Sequence, residues 1–184
     1  MAPGARIVFT SFAARTDPML AAWSRFQAEL DGADARAQRS GNTPASFATA
    51  AAEMSQPDAR AHADARTKDA RALAEPAVVW RLLAPNNREL ARSAHLYRTI
   101  VDAERHAVQL QNTADELDVS LVLGPRPGMR GWVAAHRGIV VLTCGRWYGG
   151  AAANSESAAA AVLLIATAAI ARSPGSAATL VGSA

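Results

Sequence analysis

The sequence predicts an α+β fold built from two strand-hairpin-plus-helix units, preceded by a strand and an amphipathic helix. Three observations carry this reading. Pairs of short β-branched or aromatic runs joined by turn residues occur twice, roughly fifty residues apart. Each pair is followed by a capping residue and a segment with helical apolar spacing. The 184 residues suffice for one ordinary domain, and a single cysteine, Cys144, rules out an internal disulfide framework. Hydrophobic residues make up 50% of the chain, but alanine supplies about a quarter of all residues, so the predicted core is small.

Residues 6–12, Arg-Ile-Val-Phe-Thr-Ser-Phe, have the composition of a strand. A helix follows, with Asp17 as its cap, Pro18 at the first position and Gly32 as its stop. Within it Met19, Trp23, Phe26 and Leu30 form one apolar stripe that needs a partner surface. Residues 1–32 therefore read as an N-terminal strand-helix element. Residues 33–76 have few large apolar side chains and read as an alanine-rich, partly helical, mobile linker. Residues 173–184 read as a flexible tail.

The first unit, residues 77–118, opens with Trp80-Arg-Leu-Leu-Ala, turns at Pro85-Asn86-Asn87 and returns over residues 88–94 to Tyr97. Thr99 and Asp102 form a capping pair for a helix with Ile100, Ala103, Ala107, Leu110, Ala114 and Leu117 on one stripe. The second unit, residues 119–172, adds a strand over Val119–Leu123. It then repeats the order: Trp132, the turn His136-Arg137-Gly138, a return over Ile139–Gly145, and Tyr148. Asn154 or Ser155 is the expected cap of an uncharged helix. Ser93 and Cys144 hold equivalent places, each four residues before its tyrosine.

Asn86, Leu90, Ser93, Tyr97 and Thr99 in the first unit, with Val141, Cys144 and Tyr148 in the second, resemble the tandem YegP-like repeat family, the domain of unknown function 1508. The resemblance covers about residues 77–172. It implies two pseudo-symmetric β-meander-plus-helix repeats, an antiparallel sheet with its helices packed on one face. It implies no catalytic residues. The chain departs from the family pattern in the spacing from serine to tyrosine, in Cys144 for serine and in a longer loop at 149–153.

No reaction-specific motif is found. Cys144, with His95, His106 or His136 as base, would be the only route to an enzyme, but Cys144 follows Val140, Val141 and Leu142 and reads as a small buried hydrophobe. The histidines lack ligand spacing, so no metal or cofactor is expected. Asp115, Glu116 and Asp118 read as a solvated helix end. The amino terminus has no secretory signal, and the uncharged run between Glu156 and Arg172 is too short and alanine-rich to span a bilayer. The expected setting is cytoplasmic, away from membranes.

The formal charge is +3, from 19 basic and 16 acidic residues without a polybasic run. Arg126, Arg130, Arg137 and Arg146 lie in a stretch free of acidic residues, interleaved with Trp132, Trp147 and Tyr148. Arginine beside aromatic rings is a nucleic-acid signature, with Arg126, Arg130, Arg137, Arg146 and Trp147 as its candidate contacts. The leading expectation is instead a non-enzymatic interaction or assembly module. It forms a homodimer through the Met19, Trp23, Phe26 and Leu30 stripe and a sheet edge left open in the first unit, which either the strand at Ile7–Phe12 of the same chain or an edge from a neighbour would fill. No small-molecule ligand is identifiable.

Overall fold

The chain is described by a computed structural model, which covers residues 4–39 and 75–171. The elements run β1 (Arg6–Phe12), α1 (Pro18–Arg39), β2 (Ala77–Leu83), β3 (Glu89–Ser93), α2 (Ile100–Asn112), a 3-10 turn (Ala114–Glu116), β4 (Leu117–Leu123), β5 (Arg130–His136), β6 (Ile139–Cys144), α3 (Ala151–Ile165) and β7 (Ala169–Ile170). The strands form one seven-stranded sheet in the order β4-β5-β6-β3-β2-β1-β7. The expected α+β class holds. Most of the expected linker and all of the tail lie outside the described residues.

Local chemistry explains most element boundaries. The Asp17 carboxylate accepts from the Met19 amide at 2.9 Å, capping α1 ahead of Pro18. Thr99 Oγ1 accepts from the Asp102 amide at 3.1 Å and donates to the Asp102 carboxylate at 2.7 Å. The β5–β6 hairpin turns on Arg137 and Gly138, both at positive φ, the geometry that matches the twist of its strands. In the β2–β3 hairpin Asn87 takes the left-handed conformation, as its short polar side chain permits.

Strand alternation sorts the two faces of the sheet. Leu82 pairs with Ala91, and Ala91 with Cys144. Arg81 pairs with Arg92, Arg92 with Thr143, and Thr143 with Val133 on the opposite face. The first face carries Trp80 and Trp132, both fully buried, beneath Ala103, Ala107 and Leu110 of α2 and Ala158 and Ala161 of α3. Alanine at these helix positions lets the backbones approach the large indoles. Gln111 Nε2 ties the two helix ends together through the carbonyls of Ile165 and Ala168, at 3.0 and 2.7 Å. Helix α1 covers the other face, where Leu20 and Trp23 pack on Phe12, Ala77 and Val79.

One alternative is decided and three expectations change. Of the two sources for the open edge of the first unit, the chain's own strand fills it: β1 pairs antiparallel with β2 from Arg6–Leu83 to Phe12–Ala77. Gly32 does not stop α1, which continues to Arg39, because buried Leu30 and Ala33 outweigh the modest helix penalty of one glycine. Neither Asn154 nor Ser155 caps α3; Gly150 does, and Asn154 is turned inward to donate from Nδ2 to the Gly131 carbonyl at 2.8 Å. The last helix takes in Glu156 and ends at Ile165, and residues 169–170 pair parallel to β1, which makes the sheet mixed.

Trp80→Ala or Trp132→Ala should each cost about 3–5 kcal/mol by opening a cavity under a helix. Urea denaturation of the two variants checks this, and losses below about 1 kcal/mol for both would show that the indoles do not anchor the core.

Candidate interaction surface

Groups that could do chemistry are engaged in structure, and in matched fashion. The Trp80 amide donates to Ser93 Oγ at 3.3 Å, and the Trp132 amide to Cys144 Sγ at 3.4 Å. The Tyr97 hydroxyl hydrogen-bonds His106 Nδ1, and the Tyr148 hydroxyl hydrogen-bonds Ser157 Oγ. Val78 bridges to Tyr97 as Arg130 bridges to Tyr148. Cys144 is buried, and desolvation raises its thiol pKa to about 11, the reverse of what a nucleophile needs. His106 is pushed down to about 4, first by burial and then by the charges of His95 and His136. His136 and Arg137 both reach Glu116, at 3.0 and 3.7 Å, so that carboxylate neutralises the end of the β5–β6 hairpin.

The five candidate nucleic-acid contacts are not gathered on one face. Arg126 lies in the β4–β5 loop, Arg130 opens β5, and Arg146 stacks over the Tyr148 ring at 5.1 Å, so these three share one end of the sheet. Arg137 sits in the turn at the other end of β5, beside Glu116. Trp147 is committed internally: its ring meets Phe26 at 5.2 Å, and its Nε1 donates to Glu29 at 2.9 Å. Gly131 is required here, since a Cβ would stand 2.7 Å from the Trp147 ring.

The stripe on α1 is likewise used at home. Leu30 and Trp23 are buried, Phe26 is half-buried against Trp147, and only Met19 is largely exposed. The surface the sequence did not single out is β4. It is a terminal strand of the sheet, and no strand among the described residues pairs with its outer side. Val119, Leu121 and Leu123 are 41%, 52% and 66% exposed. The signal was present as apolar residues at every second position of Leu-Asp-Val-Ser-Leu-Val-Leu, with Val122 apolar as well, but this pattern does not tell which face another element covers. Beside β4, a cavity of about 230 Å³ is walled by Leu121, Val122, Leu123, Arg130, Ala151 and Asn154. Among the described residues, no helix is long and apolar enough to cross a membrane.

Among solved structures, the chain is similar to the solution NMR structure of YegP from E. coli, a protein of unknown function. The identity is 12% and the TM-score 0.41, over 51% of this chain and 80% of that one. No family model matches the chain, and no curated protein matches it.

The depressed pKa of His106 predicts acid sensitivity. The folded state favours the neutral ring, so its contribution is present above the unfolded pKa near 6.5 and is lost as the pH falls toward about 4. With screening of a partly exposed ring, the loss should be roughly 1–2 kcal/mol. Urea denaturation at pH 7.5 and 4.5 should show parent protein losing that much more than His106→Gln, which keeps a partner for Tyr97 but does not titrate. Equal losses would contradict it.

Proposed function

We propose that the protein is a non-enzymatic interaction module that self-associates through the outer edge of β4. The observation that carries this is a seven-residue edge strand with three exposed aliphatic side chains on one face. Solvent-facing edges are normally guarded by lysine, proline or a bulge, and Leu117–Leu123 carries only one charge, Asp118, and no proline. The strand is also self-complementary. A two-fold axis through Ser120 sets Val119 opposite Leu121 of a second copy and Leu123 opposite its Leu117, while Asp118 meets Val122 and no like charges oppose. This moves the interface from α1, whose stripe is covered by its own sheet, to β4.

We also infer that the two halves are copies of one unit of the YegP-like repeat type. The matched tryptophan, tyrosine and serine or cysteine contacts support this. A cytoplasmic setting belongs to the same proposal, supported by the lone buried thiol. Nucleic-acid binding has less support, because Trp147 is packed on Phe26 and Arg137 lies far along the sheet from Arg126 and Arg146.

Sedimentation equilibrium at micromolar concentration tests the association. The full-length chain should be a dimer, and Val119→Lys should be a monomer that keeps the parent's circular dichroism spectrum, since Val119 is already exposed. A monomeric parent, or a dimer that survives Val119→Lys, would overturn the proposal.

A further inference from the structure

The cavity at the start of α3 holds polar groups that nothing in the fold satisfies. The Arg130 backbone pairs with Tyr148, but its guanidinium has no acidic partner among the described residues. Helix α3 is fifteen residues long and begins after Gly150, which has no side chain to accept from the free first-turn amides. No acidic residue lies in that first turn. Asn154, 1% exposed and lining the same cavity, uses Nδ2 on the Gly131 carbonyl and leaves Oδ1 without a donor. A buried acceptor left unpaired is destabilising unless something else supplies an N–H or O–H. The remaining wall is aliphatic and exposed, Leu121 and Leu123.

These demands define a ligand. A guanidinium beside uncapped helix amides selects an oxyanion, and planar arginine suits a carboxylate. Asn154 Oδ1 selects a donor close to that oxyanion. Leu121 and Leu123 select an apolar side chain. One chemical group carries all three at fixed spacing: the α-carboxylate end of an N-acylated apolar amino acid, with its amide N–H on the carbon next to the carboxylate. We propose that this cavity binds that group, with the carboxylate at Arg130 and the α3 amides and the N–H at Asn154 Oδ1. A small acyl-amino acid and the free carboxyl end of a peptide share this chemistry. The site shares its aliphatic wall, Leu121 and Leu123, with the strand of the proposed dimer, while its polar wall is on β5 and α3.

Titration of the full-length protein, followed by the amide NMR signals of residues 151–153, tests it with three probes. N-acetyl-leucine should give saturable shifts in the millimolar range. N-acetyl-leucinamide, without the charge, and 4-methylpentanoate, without the N–H, should each bind about tenfold more weakly or worse. Arg130→Gln should weaken N-acetyl-leucine about tenfold, with Arg130→Lys between it and the parent. Val119→Lys, which breaks the proposed strand pair without touching the cavity, should bind as the parent does, so failure of the dimer and failure of this site are read separately. No saturable response to N-acetyl-leucine, equal affinity for the three probes, or an unaltered Arg130→Gln would overturn the proposal. An acetylated tetrapeptide ending in leucine separates the two sources. Binding more than about tenfold tighter than N-acetyl-leucine marks a chain end, equal binding marks a small molecule, and either upholds the site.

Discussion

Three residue pairs at the middle of the sheet hold the architecture together. Ala91–Cys144, Arg92–Thr143 and Ser93–Leu142 are the whole register between β3 and β6, and through them β4-β5-β6 and β3-β2-β1-β7 become one sheet. The junction is reinforced on the α1 face. Arg92 Nε bonds the Glu89 carboxylate at 2.6 Å, and its Nη2 reaches the Gly145 carbonyl at 3.4 Å. Gly145 makes this approach possible, since a Cβ there would meet the Glu89 carboxylate at 2.9 Å. Helix α1 spans the same junction: Gln27 Nε2 bonds the Ala94 carbonyl at 3.0 Å, while Glu29 holds Trp147. Because the halves meet at β3 and β6, β4 is pushed to an outer edge and its pairing capacity is left over.

The matched contacts show how one geometry accommodates different chemistry. Ser93 and Cys144 each accept from a tryptophan amide, one through oxygen and one through sulfur. His106 and Ser157 each answer a tyrosine hydroxyl. A cysteine and a histidine that look reactive in a list of residues are therefore held by burial and by structural hydrogen bonds. At the start of α3, by contrast, Asn154 Oδ1 is left without a donor, and uncovered apolar groups lie on β4.

Much of the fold was legible in the sequence because it is encoded locally. The Thr99–Asp102 cap, the Asp17–Pro18 start, the Arg137–Gly138 turn and the two buried tryptophans all follow from residue chemistry within a few positions. What was not legible depends on distant partners. Gly32 looks like a stop until Leu30 and Ala33 are seen buried beneath the sheet. Asn154 looks like a cap until the Gly131 carbonyl offers its Nδ2 a better place. The apolar stripe of α1 looked like an interface because its cover, the second face of a sheet assembled from both halves, is set by tertiary packing. For the same reason the open edge at β4 was not legible: its composition specifies two faces but not which edge stays unpaired.

Native-state hydrogen exchange tests the central claim, that the β3–β6 register makes one cooperative sheet. Amides of residues 91–93 and 142–144 that bond across the junction should exchange only through global unfolding, with the same free energy as the β2 and β5 amides flanking them. A block of amides in one half that exchanges at much lower free energy, while the other half stays protected, would show the halves opening independently and would contradict the account.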